Sequence, residues 1–244
     1  MRCASTVRAV CRRPRACCDA SCRGRPVTRP LVAVLDYGIG NLHSAQKALE
    51  RGGADARLTA DRSLIADADG VVLPGVGAFG ACMDALRRVG LDEAAADAVS
   101  SGRPFLGICV GMQMLFSASE EDDGAVGLGI IPGVVRWIPP GPKIPQMQWN
   151  VLHISQPADP MLQHLGDEPW VYFVHSLHGV PDDPGVVAAT VEYGSTLNAA
   201  FRLDNVFAAQ FHPEKSSRPG LALLSNFVRI CASPRSADDR EVSA

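Results

Sequence analysis

The sequence predicts an α/β fold built on a mixed, largely parallel sheet that is flanked by helices. Three short apolar runs, Leu31–Asp36, Gly70–Leu73 and Pro104–Ile108, are each followed by a tight turn and a helical pattern. This repetition of strand, turn and helix is typical of parallel sheets that carry helices on both faces. Sheets of this kind bind ligands beyond the carboxyl ends of their strands, and all three turns lie there.

The helical patterns have apolar residues at the spacing that buries one face of a helix. In the first helix Leu42, Ala45 and Leu49 share this face, and Asn41 has the residue type of an N-cap. The helices that follow the three strands are predicted over Asn41 to about Arg51, Ala78 to Arg88, and Val110 to Ser117.

The second half of the chain has a different pattern. An acidic loop, Glu120–Gly124, is followed by short β-like segments between Val126 and Gln210, which predict antiparallel or mixed strands. A closing helix is predicted over Ser216–Cys231. We therefore expect one α/β domain over residues 30–232 and a frayed tail over 233–244.

The composition excludes several classes of protein. Of the 244 residues, 47% are hydrophobic and 20% are charged, so the chain can bury a core and is not disordered as a whole. No apolar run approaches the ~20 residues of a membrane-spanning helix, so we expect no membrane association. The net charge is −3 although the first thirty residues carry eight arginines and one acidic residue, so the remainder is acidic and unlike a nucleic-acid binder.

Residues 1–29 form an Arg- and Cys-rich leader that holds five of the eight cysteines. The cysteines lack zinc-site spacing, and the leader has no apolar segment of a secretory signal and no apolar stripe of a transit peptide. We expect a disordered extension, or residues upstream of a true start at Val27. A role in nucleic-acid binding would have to lie in this leader.

Gly107–Gly111 has the pattern Gly-x-Cys-x-Gly between a buried strand and a helix. This is the thiol form of the nucleophile elbow, in which a strained turn presents the nucleophile above the edge of the sheet. The amide of Val110, at the start of the following helix, is then placed to face an oxyanion. Alternatively, Cys109 is a buried and inert cysteine.

His212 and Glu214 follow another strand-like run, so they are also predicted at a strand end. His212 has the chemistry of a general base for Cys109, and Glu214 can accept the second N–H of the imidazole ring. Each residue alone could be an ordinary loop histidine or surface acid. Together with the cysteine elbow they predict a Cys109–His212–Glu214 triad.

These residues are part of a wider resemblance to the class I (triad-type) glutamine amidotransferases, whose fold is flavodoxin-like. Within that family the chain most resembles the glutaminase subunits of imidazole glycerol phosphate synthases, which serve histidine biosynthesis. The matching segments cover nearly the whole body of the chain: DYGIGNLHSAQKALE (36–50), LPGVGAFG (73–80), GICVGMQMLF (107–116), PQMQWN (145–150), YFVHS (172–176) and QFHPEKS (210–216).

The resemblance implies a role for each matching residue. Cys109 would attack the glutamine side-chain amide to give a γ-glutamyl thioester, with His212 and Glu214 moving the protons. Gln113 and Ser176 would bind glutamine, whereas without the resemblance Gln113 would be expected on an exposed polar face. The turn at Gly75, Val76 and Gly77 would supply a backbone N–H that stabilises the oxyanion together with that of Val110.

The resemblance also implies a partner. The family's glutaminase forms a heterodimer with a (β/α)₈ cyclase subunit, which uses the ammonia to make imidazole glycerol phosphate and an aminoimidazole carboxamide ribotide. Asn41, Trp149, Asn150 and Lys215 match positions at or near that interface. No metal or organic cofactor is implied, and a reactive thiol favours the reducing cytoplasm.

One departure from the family pattern bears on this prediction. The family usually has Met-Gly-Trp-Asn where this chain has Gln148 as the second residue, and Gln does not adopt a positive φ as readily as Gly. Three alternatives stay open: a triad glutaminase of another pathway such as pyridoxal phosphate synthesis, a stand-alone γ-glutamyl hydrolase, and a binding module without activity.

Overall fold

The computed structural model describes residues 29–233, so all but the last residue of the predicted leader and all but the first residue of the predicted tail lie outside the described residues. The helices are α1 (Leu42–Arg51), α2 (Arg62–Asp67), α3 (Phe79–Arg88), α4 (Leu91–Ser100), α5 (Val110–Gln113) and α6 (Ser217–Cys231). The strands are β1 (Leu31–Leu35), β2 (Asp55–Thr59), β3 (Gly70–Gly75), β4 (Phe105–Cys109), β5 (Phe116–Ser119), β6 (Ile131–Trp137), β7 (Gln146–Val151), β8 (His153–Ile154), β9 (Trp170–His175), β10 (Leu177–Pro181), β11 (Val187–Glu192), β12 (Thr196–Leu203) and β13 (Val206–Ala209).

An eight-stranded sheet in the order β2-β1-β3-β4-β13-β12-β11-β8 forms the centre of the molecule. The pairs from β2 to β13 are parallel, and the remaining three pairs are antiparallel. The mixed, largely parallel sheet predicted from the sequence is therefore confirmed. Because β3, β4 and β13 are parallel neighbours, the residues that follow their carboxyl ends meet at one edge of the sheet.

The three parallel strands at the centre are buried along their whole length, as expected for strands covered on both faces. Aromatic side chains fill the space around them, among which Phe116 and Phe201 meet edge to face with ring centroids 5.2 Å apart. This packing gives the ends of the strands a rigid base.

Two small sheets lie beside the main one. One has the order β10-β6-β5, and the other is the antiparallel pair β7-β9. Gln148 lies inside β7 opposite Phe173, and its φ is not positive. The replacement of the family's usual glycine by Gln148 is therefore accommodated as an ordinary strand residue.

The helix predicted over Val110–Ser117 is wrong in its second half. The helix α5 ends at Gln113, and Phe116 begins a strand that pairs with β6. The apolar residues of this segment are buried on every side rather than on one helical face, which removes the periodic signal.

The other predicted helices, α1, α3 and α6, begin within one residue of the positions predicted. Asn41 precedes α1 as predicted, but its side chain accepts a hydrogen bond from Ser44 Oγ at 3.0 Å instead of capping a backbone amide. Strand β2 and helices α2 and α4 were not predicted. No helix within residues 29–233 is long and apolar enough to cross a membrane.

Candidate active site

Cys109 is the last residue of β4 and has φ 55° and ψ −116°, a backbone conformation that non-glycine residues rarely adopt. Two glycines make this turn possible. A Cβ atom on Gly111 would lie 1.9 Å from the Leu73 carbonyl oxygen, and one on Gly107 would lie 3.0 Å from Met112 Cα. The strained strand-to-helix turn predicted at Cys109 is therefore present, although α5 is a single helical turn and its dipole is correspondingly small.

His212 follows β13 and lies beside Cys109. Its Nδ1 atom is 2.8 Å from Glu214 Oε1, and both side chains are almost fully buried. Burial lowers the pKa of His212, but hydrogen bonds to Cys109 and Glu214 outweigh it and raise the pKa to about 9. The three residues, predicted from two separate parts of the sequence, are thus brought together, with His212 interacting with both Cys109 and Glu214.

A cavity of about 290 Å³ opens next to Cys109 and His212. Its lining includes residues predicted as catalytic, as part of the oxyanion site and as glutamine-binding, together with several that were not predicted. These residues are Val76, Gly77, Cys109, Val110, Gln113, Glu121, Pro145, Val174, His175, Ser176, Leu177 and His212.

Gln113 is 4% exposed and lines this cavity, so the exposed position expected without the family resemblance is wrong. Its Nε2 atom donates to Gln210 Oε1 at 3.1 Å, and the Nε2 atom of Gln210 lies 3.9 Å from Cys109 Sγ. The one-turn length of α5 places Gln113 over the cavity. Gln210, one residue before the Phe-His-Pro-Glu motif, was not singled out from the sequence.

Glu121 was predicted only as part of an acidic loop, yet it also lines the cavity. Its Oε2 atom accepts a hydrogen bond from the Phe79 amide at 2.7 Å, and Asp122 Oδ2 accepts from the Gly80 amide at 2.8 Å. The loop therefore caps the amino end of α3. No periodic pattern in the sequence indicates such a contact, because it joins residues 42 positions apart.

His175 also lines the cavity, at the end of β9. Its Nδ1 atom is 2.7 Å from the Leu177 carbonyl oxygen, and its Nε2 atom is 2.8 Å from the side-chain amide of Gln146. Burial lowers the pKa of His175 to about 4, so the ring is neutral and donates from Nδ1 to Leu177. This bond joins the last residue of β9 to the first residue of β10. Ser176 lies between them and lines the cavity.

The residues Pro74–Gly77, called the oxyanion strand below, run past the elbow. Val76, Gly77 and Val110 line the cavity, whereas Gly75 packs against the backbone of α5 beneath them. A Cβ atom on Gly75 would lie 2.6 Å from the Gly111 nitrogen, so only glycine fits there.

The sheet register fixes the direction of the Gly75 carbonyl. The Val71 amide donates to the Pro104 carbonyl at 2.9 Å, so alternate residues of β3 turn their peptide groups toward β4. The ladder continues to Gly75, opposite Cys109, so Gly75 O is directed to the amide of Val110. In this conformation the Val110 amide is engaged by Gly75, and the Val76 amide points to the opposite side.

The four residues predicted at a partner interface differ in exposure. Trp149 is 43% exposed, and Asn41 and Lys215 are exposed. Asn150 is half-buried and donates from Nδ2 to the Glu192 carbonyl at 2.8 Å. Trp149 and Asn150 lie together on β7. Asn41 follows β1 and Lys215 follows β13, so both lie beyond the carboxyl ends of the parallel strands, as Cys109 and His212 do.

A larger cavity, about 730 Å³, lies at the other end of the sheet. It is mostly apolar and is lined by residues such as Phe105 at the start of β4 and Phe227 of α6. The residues of the predicted triad are absent from its lining, so we place the chemistry at the smaller cavity. Among residues 29–233, no group of three or more His, Cys, Asp or Glu side chains is arranged to hold a metal ion.

Comparison with known proteins identifies the family of this chain. The sequence model of the glutamine amidotransferase class-I family matches residues 33–231. This chain belongs to that family. Two solved structures support the fold: one described as a glutamine amidotransferase and PurLQS from Thermotoga maritima, at 22% and 20% identity. Each has a TM-score of 0.67 and aligns over 83% of this amidotransferase and 99% of the other chain.

Two curated relatives of the amidotransferase carry the name imidazole glycerol phosphate synthase subunit HisH. The relative from Synechococcus elongatus is 54% identical over 202 residues, which cover 82% of this chain and 93% of the relative. The relative from Syntrophotalea carbinolica is 52% identical over 206 residues, which cover 81% and 98%. The amidotransferase therefore groups with these synthase subunits within its family.

Proposed function

We propose that this amidotransferase is the glutaminase subunit of an imidazole glycerol phosphate synthase, and that Cys109, His212 and Glu214 carry its reaction. The observation that supports it most is that Cys109 and His212 line one cavity with polar groups, while Glu214 is hydrogen-bonded to the far side of the His212 ring. The identity of about half of its residues to subunits of that synthase supports the pathway.

In the proposed reaction the sulfur of Cys109 attacks the side-chain amide carbon of glutamine. The thiol proton passes to His212, which gives it to the leaving nitrogen as the C–N bond breaks, so that ammonia departs and a γ-glutamyl thioester stays on the cysteine. His212 then takes a proton from water, whose oxygen attacks the thioester. The C–S bond breaks, glutamate is released, and His212 returns the proton to the sulfur. Glu214 orients the ring and stabilises its protonated form through the 2.8 Å bond to Nδ1.

The cavity offers complementary groups for the α-amino and α-carboxyl ends of glutamine. Glu121 is the carboxylate in the lining and can accept hydrogen bonds from the α-ammonium group. Gln113 and Ser176 present an amide and a hydroxyl group at the same cavity and bind the rest of the substrate. This set of groups favours a small zwitterion over an apolar ligand.

Stabilisation of the tetrahedral oxyanion requires a change in the oxyanion strand. The Val110 amide faces Gly75 O rather than the cavity, and the amide of Val76 points away from Cys109. The Gly75–Val76 peptide must turn before both amides can donate to the oxyanion. Since one such donor is worth about 10²–10³ in rate, glutamine hydrolysis is slow until the strand turns.

The partner in this proposal is the (β/α)₈ cyclase subunit, in a heterodimer. It docks on the side of the molecule that carries Asn41, Trp149, Asn150 and Lys215. Trp149 supports such an interface because a large apolar side chain that is 43% exposed is of the type enriched at protein–protein contacts. Ammonia released at Cys109 then passes to the cyclase.

The test measures glutamate release from glutamine by the purified protein, alone and with a cognate cyclase subunit and its nucleotide ligand. We expect slow hydrolysis alone and a sharp rise in the complex. Cys109→Ala should abolish it, while Cys231→Ala, which alters a buried thiol in α6, should not. Full activity without the cyclase would instead indicate a stand-alone hydrolase, and stimulation by a different synthase subunit would indicate another pathway.

A further inference from the structure

Two side chains donate hydrogen bonds to backbone carbonyls of the oxyanion strand, and the proposed reaction uses neither of them. Tyr37 donates from its hydroxyl group to the Pro74 carbonyl oxygen at 2.7 Å. Cys82 of α3 donates from Sγ to the Val76 carbonyl oxygen at 3.3 Å. Tyr37 is 5% exposed and Cys82 is fully buried.

Both groups are uncharged donors. Burial, with further contributions from Cys82 and Cys109, raises the pKa of Tyr37, and burial raises the pKa of Cys82. The two side chains also lie close enough to influence the pKa of each other. They therefore form one neutral cluster that donates to two carbonyl groups of the same short segment.

The bonded carbonyls flank the peptide that has to turn. If the Gly75–Val76 peptide turned alone, Val76 would acquire a positive φ, which a β-branched residue adopts only at high cost. The turn must therefore be shared with the peptides on either side. Gly77, which already has φ +97°, and Gly75 tolerate this change, but the carbonyls of Pro74 and Val76 then leave their donors.

We propose that Tyr37 and Cys82 are positioning residues that hold the oxyanion strand in the conformation seen here, and that they thereby keep glutamine hydrolysis slow until the partner binds. The inference rests on the proposed function and deepens it. It assigns the restraint to two particular hydrogen bonds, each of which is lost when the strand turns. Neither residue touches the substrate in this proposal.

The experiment compares Tyr37→Phe and Cys82→Ala with the unaltered protein in steady-state glutamate release, without and with the cyclase and its ligand. Each variant should raise kcat of the free subunit about two- to tenfold, the population change expected for the loss of one net hydrogen bond. KM for glutamine and kcat of the stimulated complex should stay the same, so the ratio of stimulated to free activity falls.

Matched controls distinguish an effect on the oxyanion strand from a general destabilisation of the protein. Tyr193→Phe removes a tyrosine bond to the Lys143 carbonyl of 2.6 Å, and Cys231→Ala removes a buried thiol in α6. Both should leave the ratio unchanged. Cys82→Ser keeps a donor at the Val76 carbonyl, so its free activity should lie closer to that of the unaltered protein than that of Cys82→Ala.

Thermal unfolding identifies variants that fold. If Tyr37→Phe does not fold, the comparison of Cys82→Ala with Cys82→Ser decides. The inference is overturned if folded variants show unchanged free activity, or if the free and stimulated rates both fall, since the cluster would then support the active conformation. If the cyclase does not stimulate the unaltered protein, the proposed function is overturned together with the inference. If it does stimulate the unaltered protein but the variants behave as just described, only the inference fails.

Discussion

His212 Nδ1 and Glu214 Oε1 lie 2.8 Å apart although only Pro213 separates the two residues. The short helical turn Pro213–Lys215 folds the chain back and brings the carboxylate under the ring. Because both side chains are almost fully buried, this bond is shielded from water and has a strong effect on the charge of the ring. The orientation of His212 therefore depends on Glu214.

Glu214→Gln tests this dependence. The amide keeps the size of the side chain but removes the charge that favours protonated His212, so kcat for glutamine hydrolysis should fall by about 10²-fold or more. KM for glutamine should change little, since Glu214 is outside the lining of the cavity. Glutamate release in the complex with the cyclase measures both, and Glu93→Gln, at an exposed residue of α4, is the control. A kcat equal to that of the unaltered protein would exclude Glu214 from the triad.

The two buried histidines should affect stability at opposite ends of the pH range. The pKa of His212 is raised to about 9, so its stabilising contribution is complete below about pH 6.5 and is lost as the pH rises through 9. The pKa of His175 is lowered to about 4, so the unfolded chain binds the extra proton, and stability falls as the pH drops from about 6.5 through 4.

Urea unfolding at pH values from 4 to 9.5 measures this dependence. In His212→Asn the alkaline loss between pH 6.5 and 9 should shrink while the acid loss stays. NMR titration of the imidazole nitrogens should show His212 protonated up to about pH 9 and His175 neutral down to about pH 4. An equal alkaline loss in the variant would refute the assignment to His212.

Much of the fold, and the meeting of Cys109 with His212 and Glu214, could be predicted from the sequence because local signals mark them. The glycines beside Cys109 mark the elbow, since backbone atoms of β3 leave no room for a Cβ atom at Gly111. Glu121 and Cys82 left no such signal, because their roles come from contacts made by the folded chain. Phe116 was assigned to a helix because total burial hides which strand it pairs with.

Glu121→Gln tests whether Glu121 binds the α-ammonium group of glutamine in the cavity. The amide can still accept from the Phe79 amide but no longer attracts an ammonium group, so KM for glutamine should rise about tenfold or more with a smaller effect on kcat. Asp122→Asn is the matched control, because Asp122 caps the next amide of α3 and is outside the cavity lining. An equal rise of KM in both variants would mean that the loop acts only as a cap.

Gly111→Ala should destabilise the protein severely. The new methyl group would lie 1.9 Å from the Leu73 carbonyl oxygen, and its nearest neighbours, in Leu73 and Pro74, are backbone atoms that cannot rotate away as a side chain could. We expect a loss of about 3 kcal/mol or more in the free energy of unfolding. Gly102→Ala is the control: it has φ +72° and open space around the new Cβ atom, so it should cost only about 1–2 kcal/mol. Chemical denaturation compares the two, and equal losses would contradict the close packing at the elbow.

Lys215→Ala should weaken binding of the cyclase without changing the fold of the subunit. Lys215 directly follows Glu214 and is exposed at the edge of the sheet where the triad lies, so a docked partner would cover its charge. Trp149→Ala should weaken binding further, by tenfold or more, as expected for a large side chain at an interface. Lys47→Ala, at an exposed lysine of α1, controls for the loss of a positive charge. Isothermal titration of each variant with the cyclase measures Kd, and unaltered Kd values for both Lys215→Ala and Trp149→Ala would place the interface elsewhere on the molecule.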